Sequence, residues 1–284
     1  MISFISAIIA FVLLLSPFIL VALLVWAIVY ASNKSNVQQN YNRTYTMSSN
    51  KINEWDYIRK QIIDDTLFNN QENTRKQYYN TTYYLFTRNE YNDVVQDRGL
   101  FGEYDIFMQL RWYENYGGRF LYNVYLPKKD GTTTEIDIVF LTPKGIFVIE
   151  SKNYRGWIFG REDYLYWTQT FNKNAKERFY NPIKQNETHI KYIKQYIKAE
   201  IPVYSVIVFS DECNLTKVPP PKGNTIIINR RDVNAAIKYV LDKNRDFITY
   251  RQLDEIQKEL FPYSQRTKKE KEKHIEDIKN KYKK

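Results

Sequence analysis

Cysteine is almost missing from this sequence. Cys213 is the single one among 284 residues, which excludes an internal disulfide framework and a cysteine-built zinc site. No Ser-His-Asp order, Walker loop, glycine-rich dinucleotide turn or zinc spacing occurs either, so triad acyl transfer, P-loop chemistry and nicotinamide chemistry lack their usual carriers. Charge is missing from one end, since no charged side chain precedes Lys34. Residues 2–31, ISFISAIIAFVLLLSPFILVALLVWAIVYA, are uncharged and almost wholly apolar, longer than the ~20 residues that cross a bilayer. They predict a single-pass transmembrane helix, which tolerates a proline such as Pro17. A cleaved signal peptide is opposed by the lack of a basic n-region and by a run well beyond ~15 residues. Lys34, Arg43 and Lys51 follow the run. The positive-inside rule therefore puts everything after it on the cytosolic side.

What is present is a basic chain of net charge +10, all of it beyond the apolar run. That excess favours an anionic partner, nucleic acid or an anionic lipid surface. Abundant Lys, Asn, Tyr and Ile make a plain compositional bias the alternative. The length allows one soluble domain with appendages beside the membrane segment. Residues 32–50 are rich in Asn, Ser, Gln and Thr and read as a flexible tether. Ile52, Trp55, Ile58, Ile62 and Leu67 recur near helical spacing and predict an amphipathic helix over Lys51–Asn69. Residues 71–97 are polar and Tyr-rich without clear periodicity, so 51–97 reads as a helical or irregular extension. A basic tail occupies 263–284.

The centre of the chain is Thr134–Gly160, TEIDIVFLTPKGIFVIESKNYRGWIFG. Two apolar, β-rich runs flank Pro143-Lys144-Gly145, a turn signal that predicts an antiparallel hairpin. A turn centred there sets Asp137 opposite Glu150, and period two puts Glu150 and Lys152 on one face. Adjacent carboxylates repel unless a cation lies between them, and a divalent ion does this best.

An Asp followed by Glu-x-Lys on the next strand is the metal-and-lysine constellation of the PD-(D/E)xK nucleases. Gly131–Ile138, Gly145–Asn153, Gly156, Gly160 and Asn181-Pro-x-x-Gln-x-x-x-His189 together resemble the nuclease-related domain, or NERD, family, over about 99–226. The resemblance implies an α/β fold, a restriction-endonuclease-like core with a mixed central sheet flanked by helices over 98–262. It implies phosphodiester hydrolysis with Mg²⁺ or Mn²⁺ held by Asp137, Glu150 and the backbone carbonyl of Ser151, and Lys152 beside the reacting phosphate. It also implies a Gln on the following helix, matched by Gln185, and an acidic residue from an early helix, matched by Glu103. The plain reading of Glu103 is a first-turn carboxylate favourable to the helix dipole; both stand. His189 reads equally as catalytic or as a structural hydrogen-bonded histidine.

Around this centre the pattern predicts a helix over Gly99–Tyr113 and strands over Phe120–Leu126, Tyr164–Thr170, Val203–Phe209 and Thr225–Ile228. A helix starts at Asn181-Pro182, with Asn as cap and Pro in the first turn, and helices cover Val233–Leu241 and Tyr250–Leu260. Asp211 and Glu212 read as solvated loop charges. The tail from Gln265 is a basic arm for phosphate or anionic lipid, or a solvated terminal helix; His274 carries no catalytic role. The expected function is a membrane-anchored nuclease acting on nucleic acid, DNA ahead of RNA. The alternative is a weakly active tethered nucleic-acid-binding or interaction module.

Overall fold

The computed structural model describes residues 71–171, 175–197 and 199–282. The apolar run 2–31, the tether and the Lys51–Asn69 helix lie outside them. Among the described residues no helix is long and apolar enough to cross a membrane.

The described residues open with three short helices, α1 (Gln71–Tyr79), α2 (Thr82–Thr87) and α3 (Tyr91–Gln96), then α4 (Arg98–Leu110) and a 3-10 turn. Strands β1 (Arg119–Pro127), β2 (Thr133–Thr142), β3 (Gly145–Lys152), β4 (Gly156–Phe159), β5 (Tyr166–Thr170) and β6 (Lys176–Tyr180) follow. Helix α5 (Pro182–Ile193) precedes β7 (Val203–Phe209), β8 (Cys213–Lys217) and β9 (Thr225–Asn229). Three helices close the chain: α6 (Val233–Lys243), α7 (Tyr250–Ser264) and α8 (Lys268–Tyr282). This is a mixed α/β fold whose central sheet, in the order β1-β2-β3-β7-β9, is antiparallel through β3 and parallel beyond it. A second sheet, β6-β5-β4-β8, lies outside that plan.

The turn signal fixes the centre as expected. Thr142 pairs with Gly145 and the ladder runs to Ile138 opposite Ile149, the register that faces Asp137 toward Glu150. Period two then sorts β3: Phe147 and Ile149 enter the core with α4 and α6, while Ile146 and Val148 enter the opposite core with α5 and α7. Residues between 78 and 94 also enter the first core. Tyr78, Tyr83 and Val94 are buried with Phe107, Tyr122 and Ile149, and Tyr78 and Tyr83 meet neighbouring rings edge-on. Their structure is invisible to periodicity because the helices have six to nine residues each.

The pleat inverts once. Ile138 and Phe140 face the α4 side and Val139 and Leu141 the α5 side, yet Ile136 faces the α5 side as well. On β1 the same slip separates Phe120 and Tyr122 from Val124 and Leu126. The residues at the inversion are Asp137 and Asn123, which occupy facing positions between the paired Tyr122–Ile138 and Val124–Ile136. Asn123 has a φ of 50°, a left-handed conformation that Asn tolerates better than other residues carrying a side chain.

Candidate active site

The site forms where β3 leaves the core. Glu150 and Lys152 follow Ile146 and Val148 onto the α5 side, and helix α5 supplies their partners. Lys152 Nζ donates to Glu150 Oε1 at 2.6 Å and to Gln185 Oε1 at 3.0 Å. Gln185 Nε2 donates to the same Glu150 oxygen at 2.7 Å. His189, one helical turn on, places Nε2 3.0 Å from Glu150 Oε2, and its Nδ1 lies 2.7 Å from Thr134 Oγ1 on β2. Both oxygens of a carboxylate only 2% exposed are thus engaged.

Helix α5 is placed by its own polar residues. Asn181 caps it, its side chain accepting from the Ile183 amide and donating to the carbonyls of Arg161, Glu162 and Tyr164. Asn186 donates to the Val148 carbonyl and to Ser205 Oγ, tying the helix to β3 and β7. The apolar stripe alone would leave the helix free to slide; these bonds set which residues face Glu150.

Between Glu150 and Lys152, Ser151 donates its amide to Asp137 Oδ2 at 2.7 Å. Helix α4 comes close at Gly102, where an added Cβ would lie 3.0 Å from Arg230 Nη1 and 3.2 Å from Ser151 Oγ. The glycine is needed for that approach, which carries the next residue, Glu103, to the site. Part of the Glu103 side chain remains accessible, but Oε2 is enclosed and has no hydrogen-bond partner.

Electrostatics separate these acids into two kinds. Burial works against the charged form of Glu150, but Lys152 and His189 outweigh it and hold the carboxyl down at about 2. Burial likewise opposes the charge on Lys152, and the carboxylates of Glu150 and Asp137 outweigh it and raise its pKa. Asp137 is pushed well above the carboxylate range, by burial first and then by Glu150. Glu103 goes the same way, by burial and then by Asp137 and Glu135.

All five residues expected to be catalytic are brought together, in two half-sites joined through Asp137 and the Ser151 main chain. Sequence reasoning passed over Thr134, Asn123, Asn186 and Glu135. Glu135 accepts from Tyr125 Oη, lies 3.5 Å from His274 Nε2, and is pushed upward by burial. Thr134 had a signal, a polar residue facing inward beside Ile136; Asn123 had one too, an Asn inside an apolar strand. Glu212, read as solvated, receives Arg98 Nη2 at 2.6 Å.

Among the described residues no cluster of three or more His, Cys, Asp or Glu is gathered around one metal-sized point. Mg²⁺ asks for less, being bound through one or two carboxylates with water and phosphate filling the rest. The donor chemistry fits such an ion: Glu103 Oε2 is orphaned, Asp137 is half-buried beside Glu150, and the carboxylates and the Ser151 carbonyl are hard oxygen donors.

Residues 98–210 match the family model of the nuclease-related domain. The chain is 35% identical over 122 residues to an uncharacterized protein of Bacillus anthracis, a match that covers 43% of this chain and 57% of that protein. The chain therefore spans little more than half of that relative. No solved structure matches it.

Proposed function

We propose that this protein is a divalent-metal-dependent nuclease that hydrolyses phosphodiester bonds, in DNA ahead of RNA, with a restriction-endonuclease-like core over 98–262. Residues 2–31 anchor it as a single-pass membrane protein with the core in the cytosol, and the 265–284 tail adds contacts to phosphate or anionic lipid. The observation that carries the reading is the Lys152–Glu150–Gln185–His189 cluster set directly beside Asp137.

In this reading Asp137, Glu150 and the Ser151 carbonyl would hold Mg²⁺ or Mn²⁺, and Glu103 would add a further acid to the site. The ion would supply charge neutralisation at the phosphoryl oxygens and a more acidic water. The chain's own residues do the positioning. Lys152 stays cationic because two carboxylates raise its pKa, so it can orient the attacking water or meet the negative charge that grows on the phosphate. Gln185 holds Lys152 and Glu150 in one geometry through a bond to each. Glu150, held at about 2, remains an acceptor throughout and is a poor proton carrier. His189, braced by Thr134, keeps the outer Glu150 oxygen in place. Water adds to phosphorus as one ester P–O bond breaks.

One observation favours a second reading, that of a tethered binding module with little turnover. Lys152, Gln185 and His189 take three of the roughly four acceptor positions of Glu150, so an ion competes with them for that carboxylate. Cleavage assays with full-length protein in mild detergent decide between the two, using labelled single- and double-stranded DNA and RNA with Mg²⁺, Mn²⁺ or chelator. Metal-dependent cutting that falls about 10²- to 10³-fold in Lys152→Ala and in Glu150→Ala is expected for the nuclease. Equal behaviour of wild type and both variants, with no Mn²⁺ bound, leaves the binding module.

A further inference from the structure

The second sheet turns one face away from the protein. Ile158, Trp167 and Cys213 point inward, into a core with Phe209 and Ile183. Period two therefore turns Trp157 and Phe159 outward, where they remain 43% and 40% exposed. Phe171, at the end of β5, is exposed beside them with the Arg155 guanidinium over its ring at 4.9 Å. Aromatic side chains grouped on one open sheet face mark a candidate binding surface.

The registers show what surrounds these rings. Trp157 pairs with Thr170, which pairs with Lys176; Phe159 pairs with Thr168, which pairs with Arg178. On the other flank Phe159 pairs with Lys217. Two cross-strand rows result, each with aromatic and hydroxyl groups in the middle and a cation at one or both ends. No carboxylate occupies any of these positions. The rings and flanking lysines line an open cleft of about 790 Å³.

We propose that this face is a binding platform for single-stranded nucleic acid, with bases stacked on Trp157 and Phe159 and phosphates against Lys176, Arg178 and Lys217. The occupant follows from the chemistry. Base stacking on aromatic residues flanked by cations is tolerant of sequence and uses only π-faces and charge, and a four-stranded sheet offers two or three aromatic residues at suitable separation. A membrane-inserting face would carry aliphatic side chains where this one has Thr168 and Thr170. Only the residues 153–155 separate β4 from Lys152, so a strand held here lies close in the chain to the site. The inference deepens the nuclease reading and rests on it for the choice of nucleic acid as ligand.

The test measures fluorescence anisotropy of short labelled single-stranded and duplex oligonucleotides with full-length protein in detergent and chelator, so that nothing is cut. Trp157→Ala/Phe159→Ala is expected to weaken single-strand binding at least about tenfold, leaving duplex affinity and melting temperature unchanged. Trp157→Phe/Phe159→Tyr, which keeps both rings, is expected to restore it. Lys176→Ala/Lys217→Ala is expected to flatten the dependence on salt, by about 0.7 in log–log slope for each phosphate that no longer meets a cation. Unchanged single-strand affinity in the Ala double variant overturns the proposal. So does a variant that loses binding to phosphatidylglycerol vesicles instead, which makes the face a membrane contact. Cleavage that needs Glu150 and Lys152 but ignores the platform variants removes the platform and keeps the nuclease. Platform-dependent binding without any cleavage does the reverse.

Discussion

Asn123 and Asp137 face each other where the pleat of the central sheet inverts, and they show how a single backbone position serves the site. A left-handed residue inside a strand costs about 1–3 kcal/mol unless its surroundings impose it. Here the imposed conformation lets Ile136 and Ile138 enter opposite cores with Asp137 between them. Asn123→Gly should melt near the wild type, because glycine takes a φ of 50° freely. Asn123→Val, β-branched and unable to relax there, should lose about 1–3 kcal/mol of stability. Thermal melting of both variants checks this, and equal midpoints would show that the backbone there makes no demand. The Ile-Asp-Ile spelling of 136–138 predicts uninterrupted alternation, so the inversion cannot be read from it. Glu150, Lys152 and Gln185 were readable, because strand period two and helical steps of four translate directly into shared faces. His189 was not assignable, since the partner that decides its role, Thr134, is 55 residues away.

At the scale of elements, the tail behaves as a docked helix. His274 on α8 is buried, with Nδ1 2.7 Å from Thr133 Oγ1 and its ring edge-on to Tyr125 at 5.2 Å. Arg266, just before the helix, pairs with Glu270 at 2.7 Å. The helix is lysine-rich, with Ile275 and Ile278 among its few apolar residues. His274→Ala should strip α8 of a buried polar anchor and open it to protease. Limited trypsin digestion followed by mass spectrometry is expected to show cuts at Lys269–Lys273 in the variant well before wild type; identical digests would mean that α8 docks without it. The hairpin of β2 and β3, the β7 strand and the capped α5 were legible because they are apolar, long enough and punctuated by Pro, Gly or Asn-Pro. Strands β4, β6 and β8 were not. Each has four or five residues, and β6 spells Lys-Glu-Arg before its first apolar residue. What makes β4 a strand is Gly156, whose φ of 76° and 2.4 Å approach of an added Cβ to the Thr170 carbonyl admit no side chain.

At the scale of the whole molecule, the acids at the site tie stability to pH and to cations. Glu103 and Asp137 have folded-state values well above the ordinary carboxylate range, through burial and then neighbouring charge. A raised value means that stability is fully present below the unfolded pKa of about 4 and is lost as pH climbs through the raised one. Glu150 works the other way: its contribution is present at neutral pH and is lost as pH falls through about 2. In chelator the melting temperature should therefore decline as pH climbs above the unfolded value of about 4. Mg²⁺ or Mn²⁺ should restore it at the upper end and do little at the lower, because a bound cation replaces the proton. Asp137→Asn should flatten both responses. A melting curve indifferent to pH and ion across that range would argue that these acids share no cation.

The order of the central sheet has one more consequence, and it concerns the protein while it is being made. Strand β3 carries Glu150 and Lys152, but its parallel neighbour is β7, and the helix that grips both side chains lies between the two in the chain. Closing that crossover means bringing together residues 57 apart in the chain, such as Ile146 and Val203, the slow kind of contact. A growing chain on the ribosome thus displays its acids and lysine long before it owns the frame that aims them. The site is assembled only after residue 209 has emerged, so a nascent polypeptide beside its own messenger carries the parts of the cleft but not the cleft.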